Sequence, residues 1–390
     1  MARSTRRKVA IGIAIGLGGA VSAAAIGSAV LSVIVARTVI IPPSRRTDDV
    51  VIINVDLQAG RIILSSTPDS RLAGEYSFWF DGDSGHARVG DIIESTPTTV
   101  TRSILGVDHG ELATARRGRL SGWYYLNPRD FGYEFENVVV DTPLGDAPAW
   151  LIPAAAPSHR WVIQVHGRAV RRPETLRGVK PFREAGYTSL LVSYRNDGEA
   201  PRSDDYRYAL GDREWIDVDA AMNYAIENGA IEIVLMGWSM GGATVLQALT
   251  RASARSAITG VVLESPVVDW IATLDFQGAL RRLPALVRFG VVQLFRRRWG
   301  RLFTGLAEPL DLARMDFVRR AQELNVPILI LHSDDDGFVP STASRALAAA
   351  RPDIVSYEAF ETARHTKLWN FDRERWTGAI RDWLRTLDTD

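Results

Sequence analysis

The chain has 390 residues, 46 Lys plus Arg against 46 Asp plus Glu, no cysteine, and 46% hydrophobic with 24% charged content. The balanced charge gives no electrostatic footprint for nucleic acid, and the missing thiols exclude disulfides, cysteine nucleophiles and cysteine-ligated metals. The apolar content excludes a disordered tail protein, and the length allows more than one folding unit.

In chain order, the first feature is a run from Val9 to Ala36 without a charged residue, rich in Ala, Gly, Ile and Val. As a helix it extends about 40 Å, enough to cross a bilayer with some tilt. Arg3, Arg6, Arg7 and Lys8 precede it, while the Arg37, Arg45 and Arg46 that follow are partly offset by Asp48 and Asp49. This bias predicts a single-pass anchor in the cell membrane over 1–36, with a cytoplasmic N-terminus and the remainder of the chain extracytoplasmic. A cleaved signal peptide is the rival, since Ala20-Val21-Ser22-Ala23 supplies small residues, but the apolar run outlasts a signal-peptide core.

Residues 37–130 have a different texture. Val50 to Val55 and Arg61 to Ser65 read as strands, with turn residues at Pro68-Asp69 and Asp81-Gly82-Asp83 around the aromatic run Tyr76 to Phe80. A small β-rich module is expected, serving to hold the rest off the membrane or to gate a site. From 131 to 390 strands and helices alternate, as in a doubly wound, mostly parallel α/β sheet. Val138 to Val140 and Ala149 to Ile152 suggest an opening hairpin, and Trp161 to His166 a buried strand. A helix is expected over Glu174 to Ala185, a strand over Thr188 to Tyr194, and a helix over Arg213 to Asn228. Further strands are expected at Gly260 to Glu264 and Val355 to Phe360. Between about 270 and 320 an insertion carries Leu280, Leu283, Leu286, Val287 and Val291 at helical spacing. It then reads Phe295-Arg296-Arg297-Arg298-Trp299-Gly300-Arg301-Leu302-Phe303, either a solvated basic face or a surface for anionic lipid.

The chemistry is concentrated at Val234-Leu235-Met236-Gly237-Trp238-Ser239-Met240-Gly241-Gly242, an apolar strand running through Gly-x-Ser-x-Gly into a helical pattern. Glycines two before and two after Ser239 permit a sharp turn that lifts its hydroxyl above a sheet. A serine needs a base, and the base needs an acid to hold its tautomer. Both follow in order: the strand Pro327 to His332 runs into Ser333-Asp334-Asp335-Asp336-Gly337-Phe338-Val339-Pro340, and His365 lies in the loop after Val355 to Phe360.

Residues from about Gly132 onward resemble the α/β-hydrolases, in particular bacterial relatives of the prolyl oligopeptidase and esterase superfamily. That resemblance implies Ser239 as nucleophile, Asp336 as acid through the D-x-x-V-P pattern, and His365 as base. It also implies an oxyanion hole of the Met240 and Arg168 amides, the latter from the Val165-His166-Gly167-Arg168 turn, which departs from the more familiar His-Gly-Gly-Gly. His166, Gly167, Trp238 and Tyr194 are expected to line the substrate space, and the 270–320 insertion is expected to be a helical cap. No Walker loop, dinucleotide fingerprint or His-Glu-x-x-His motif is present, so no cofactor or metal is expected. The expected reaction is hydrolysis of a small-molecule or lipid-like acyl ester through an acyl-enzyme. A peptide substrate and an inactive tethered scaffold are the alternatives.

Overall fold

The computed structural model describes residues 25–387. Of the expected membrane span, residues 9–24 lie outside the described residues. Among the described residues no helix is long and apolar enough to cross a membrane. The rest of the apolar run continues as a helix over residues 25–40 (α1), past the expected end at Ala36. Its positions 32, 36 and 40 are buried, a stripe at spacing four that faces protein. Ser32 Oγ donates to Val287 O at 3.1 Å, and Ala36 and Ile40 join the main hydrophobic core. The end of the run is therefore a docked helix, because its apolar stripe finds a partner inside the chain.

Six strands follow: β1 (Val50–Asp56), β2 (Arg61–Ser65), β3 (Tyr76–Phe80), β4 (Gly85–Ser95), β5 (Thr99–His109) and β6 (Arg117–Ser121). They close into a barrel in the order β1-β2-β5-β4-β3-β6. Closure removes the free sheet edges, and inward residues such as Ile62, Leu64, Phe78, Ala87 and Val89 fill the interior. The long hairpin β4–β5 escapes a reading by alternation, because four register irregularities break its period of two.

The remaining strands are β7 (Glu136–Thr142), β8 (Gly145–Ile152), β9 (Arg160–Val165), β10 (Thr188–Val192), β11 (Glu232–Trp238), β12 (Ile258–Glu264), β13 (Ile328–Ser333) and β14 (Val355–Phe360). They form one sheet in the order β14-β13-β12-β11-β9-β10-β8-β7. The β7–β8 hairpin is antiparallel, β8 meets β10 antiparallel, and every other pairing is parallel. Central strands are buried on both faces, so they read as continuous apolar runs. Around the sheet lie α2 (Val179–Glu184), α3 (Trp215–Glu227), α4 (Met240–Arg251), α5 (Trp270–Leu280), α6 (Ala285–Arg296), α7 (Arg301–Thr304), α8 (Thr342–Ala350), α9 (Leu368–Phe371) and α10 (Arg373–Leu387). The first half of the helix expected from Glu174 is a 3-10 turn, Arg172–Gly178, and only its second half is α-helical. Helices α5 to α7 form the cap on which α1 packs.

Candidate active site

Ser239 sits between β11 and α4 with φ 52° and ψ −116°, a conformation that non-glycine residues avoid and surrounding packing must impose. The flanking glycines show how. A Cβ on Gly237 would come within 2.5 Å of Gly241 O, and one on Gly241 would collide with Val165 O at the end of β9. The turn is this tight because α4 starts directly against the neighbouring strand.

The structure brings Ser239, His365 and Asp336 together. His365 Nε2 lies 2.9 Å from Ser239 Oγ, and its Nδ1 lies 2.7 Å from Asp336 Oδ2. The other oxygen of Asp336 accepts the amides of Phe338 and Val339, each at 2.8 Å. Burial alone would raise the Asp336 carboxyl, but the neighbouring His365 and His332 hold it well below the usual carboxylate range. A carboxylate can only accept, so Nδ1 of His365 carries the proton and Nε2 is left to accept from the serine hydroxyl.

His332 was not singled out by sequence, yet it supports the acid. Its Nε2 lies 3.2 Å from Asp336 Oδ2 and 3.1 Å from Val339 O, both acceptors, so that nitrogen carries the hydrogen and Nδ1 accepts from Ser344 Oγ at 2.8 Å. The signal was its position four residues before the acid, at the end of the same strand. Asp334 and Asp335 serve the loops instead. Asp334 pairs with Arg345 at 2.6 Å, and Asp335 accepts the Arg364 amide at 2.9 Å, fixing the backbone next to His365.

The turn after β9 faces the serine. Gly167 donates its amide to Glu174 Oε2 at 2.9 Å, and its carbonyl accepts the Tyr194 hydroxyl at 2.8 Å. Neither the Arg168 amide nor the Met240 amide has an acceptor among the described residues, so both are free to meet a developing oxyanion. The Arg168 side chain turns away and donates to Thr38 O and Val39 O, each at 2.7 Å, capping the C-terminus of α1.

Three expected lining residues are corrected. His166, Trp238 and Tyr194 are fully buried beneath the turn. His166 stacks on Tyr194 with ring centroids 4.2 Å apart, and Trp238 donates its indole N–H to Glu264 Oε2 at 2.7 Å. They hold the floor, since each side chain points into the packed layer rather than past the sheet edge. Gly167 does border the cleft.

That cleft, of about 530 Å³, has Ser239, His365 and Phe338 on one side and Arg46, Arg119 and Gly122 on the other. The second group comes from the barrel and from the linker that joins it to α1, which sequence alone did not bring to the site. Gly122 is needed at this seam, because a Cβ there would collide with Thr366 O, the residue after His365. Asp69 of the barrel binds Lys367 at 3.0 Å and Arg364 at 3.2 Å, closing the seam. Arg46 donates to Ala169 O and lies over the Trp123 ring at 5.7 Å, with no ion pair among the described residues. Burial, with Arg119 nearby, pushes its pKa down to about 10.

A parallel sheet with an antiparallel opening hairpin, a strained serine at a strand-to-helix elbow and an imidazole above it define an α/β-hydrolase. The description "Alpha/beta hydrolase family" matches residues 151–379, more than half of the chain, and the chain belongs to that family. It is a hydrolase with a carboxylesterase-like fold. A second family description, "Domain of unknown function (DUF8805)", matches residues 51–121, which coincide with the barrel. Among solved structures, the Pyrococcus furiosus esterase Pf2001 is 18% identical with a TM-score of 0.51, over 67% of this chain and 94% of that one. Est1E from Butyrivibrio proteoclasticus is 16% identical, with a TM-score of 0.49 over 65% and 99% of the two chains. A putative aryl esterase from Burkholderia cenocepacia is 21% identical, with a TM-score of 0.46 over 65% and 100%. No curated protein matches the chain.

Proposed function

We propose that this chain is a serine hydrolase that cleaves esters through an acyl-enzyme on Ser239. The observation that carries the reading is the hydrogen-bonded series Ser239 Oγ, His365, Asp336 at 2.9 and 2.7 Å. In this mechanism His365 takes the serine proton as Oγ attacks the ester carbonyl. Asp336 stabilises the imidazolium, and the Met240 and Arg168 amides hold the oxyanion. His365 returns the proton to the leaving alcohol, and a water repeats the steps to release the acid. Turnover by the full chain of aryl esters of graded acyl length, set beside aminoacyl-prolyl amides, tests the reaction. Ester cleavage lost in Ser239→Ala is expected. Preferential cleavage of the prolyl amides favours the peptidase alternative, and turnover of neither class favours the inactive scaffold.

The cleft's charge narrows the ester class. Of the six cationic residues that border it, Arg364 and Lys367 are tied to Asp69, Arg119 pairs with Asp48 and Asp83, and the Arg168 side chain turns away, which leaves Arg45 and Arg46 without an ion pair among the described residues. Arg46 in particular is a half-buried guanidinium with no ion pair among the described residues, which favours a ligand that brings a carboxylate. The preferred substrate is therefore an ester bearing an anionic group. With esters matched in leaving group, Arg46→Gln should lower kcat/KM about tenfold or more for a hemisuccinyl ester and leave a butyryl ester nearly unchanged. An equal loss on both rules out anion recognition by Arg46.

The charges before Val9 and the apolar run after it support a single-pass anchor with the hydrolase outside the cytoplasm. Protease digestion of the hydrolase in intact cells is expected. Protection until the cells are lysed contradicts it.

A further inference from the structure

We infer that the cap is a membrane-contact surface, with the outer face of α6 and α7 resting on an anionic bilayer. The cap exposes large apolar side chains that a soluble surface would bury: Leu302 is 85% exposed, Phe289 61%, Leu286 57%, Trp299 52% and Phe303 47%. They are not scattered. Leu286, Phe289, Trp299 and Phe303 share one apolar groove of about 560 Å³ with the outer face of α1, whose Val30 and Ile34 are 55% and 56% exposed. Contiguous apolar surface of this kind marks a contact site.

Charge selects the occupant. Residues 270–305 hold seven arginines and one aspartate, a net of +6 in a chain whose total is zero. Of the seven, Arg288 pairs with Asp275. The other six, Arg281, Arg282, Arg296, Arg297, Arg298 and Arg301, are exposed and have no ion pair among the described residues. An apolar strip bordered by unpaired arginines, with a tryptophan beside them, suits the headgroup boundary of an anionic membrane. A second copy of the chain suits it poorly, because a two-fold contact would bring the same arginines together. Connectivity agrees. Ala25 lines this same groove, and the sequence before it carries no charge back to Val9.

The natural absence of cysteine provides the test. Leu302→Cys in the full chain, labelled with an environment-sensitive nitrobenzoxadiazole, is compared in vesicles with the same label at Ile231→Cys. Ile231 is 66% exposed and precedes β11, at the sheet edge away from Ser239. In phosphatidylcholine vesicles containing phosphatidylglycerol, the label at 302 should shift to the blue and be quenched by acrylamide several-fold less than the label at 231. The shielding should disappear in pure phosphatidylcholine, and also when Arg296→Glu, Arg297→Glu, Arg298→Glu and Arg301→Glu are combined. Equal quenching at the two positions overturns the inference. So does shielding at 302 that ignores lipid charge, which would mean a protein contact. None of these readings depends on ester turnover, so they stand apart from the catalytic proposal.

Discussion

The barrel and the eight-stranded sheet are both β-structures, but water treats them differently. Strand β2 of the barrel alternates exposed and buried residues around one dry interior, whereas β11 is buried on both faces from Ile233 to Trp238. A strand enclosed on both sides leaves its end no freedom, so the sheet edge can hold Ser239 in a strained conformation. A barrel wall with one wet face contributes surface, and here that surface is the far side of the cleft. The comparison separates the region that does chemistry from the region that shapes access to it.

The sharpest way to break that division is to alter each side in turn. Ser239→Ala should lower kcat/KM by about 10⁴-fold or more while the thermal unfolding midpoint stays within a few degrees. A loss below tenfold would move the chemistry elsewhere. Gly122→Val, a change next to the barrel, should push Thr366 and with it His365, lowering kcat by roughly 10- to 100-fold. Unchanged turnover would show that the barrel does not set the geometry of the base.

The strand end carrying Ser239 was legible in sequence because a doubly buried strand is a continuous apolar run and an elbow this tight admits only glycine at 237 and 241. Chain order points to the acidic loop and to His365, and only the D-x-x-V-P pattern of the resemblance separates Asp336 from Asp334 and Asp335. The support beneath them was not. His332 and Glu174 act through contacts that nothing in their local pattern separates from those of core polar residues. The burial of His166, Trp238 and Tyr194 is not legible in sequence, because a place at the end of a strand says nothing about which side of the sheet a ring occupies. The linker carrying Arg46 was missed for the same reason, since it reaches the cleft only once the barrel has closed. The end of the apolar N-terminal run reads alike for lipid and for protein, and only the stripe at Ser32, Ala36 and Ile40 distinguishes them.

Smaller effects sharpen the comparison further. Arg168→Leu keeps the backbone amide but releases the end of α1, and kcat should fall about tenfold with KM little changed, as for a loosened oxyanion donor. A KM effect alone would place Arg168 in substrate binding. Asp336 carries a depressed pKa in the folded chain, so its contribution to stability is complete above the unfolded carboxylate value of about 4. That contribution declines progressively as pH falls below the unfolded value and is gone once pH has passed through the lower folded value. The unfolding free-energy difference between wild type and Asp336→Asn should therefore be flat above about pH 5 and shrink below about pH 4 in denaturant titrations. A difference that grows on acidification would contradict the assignment.

The most direct measurement is covalent labelling of the full chain with a fluorophosphonate, followed by peptide mapping. One modification on Ser239, absent from Ser239→Ala and slowed in His365→Ala, is the result expected. Labelling of a different residue, or none in a folded chain, would contradict the nucleophile on which the account rests.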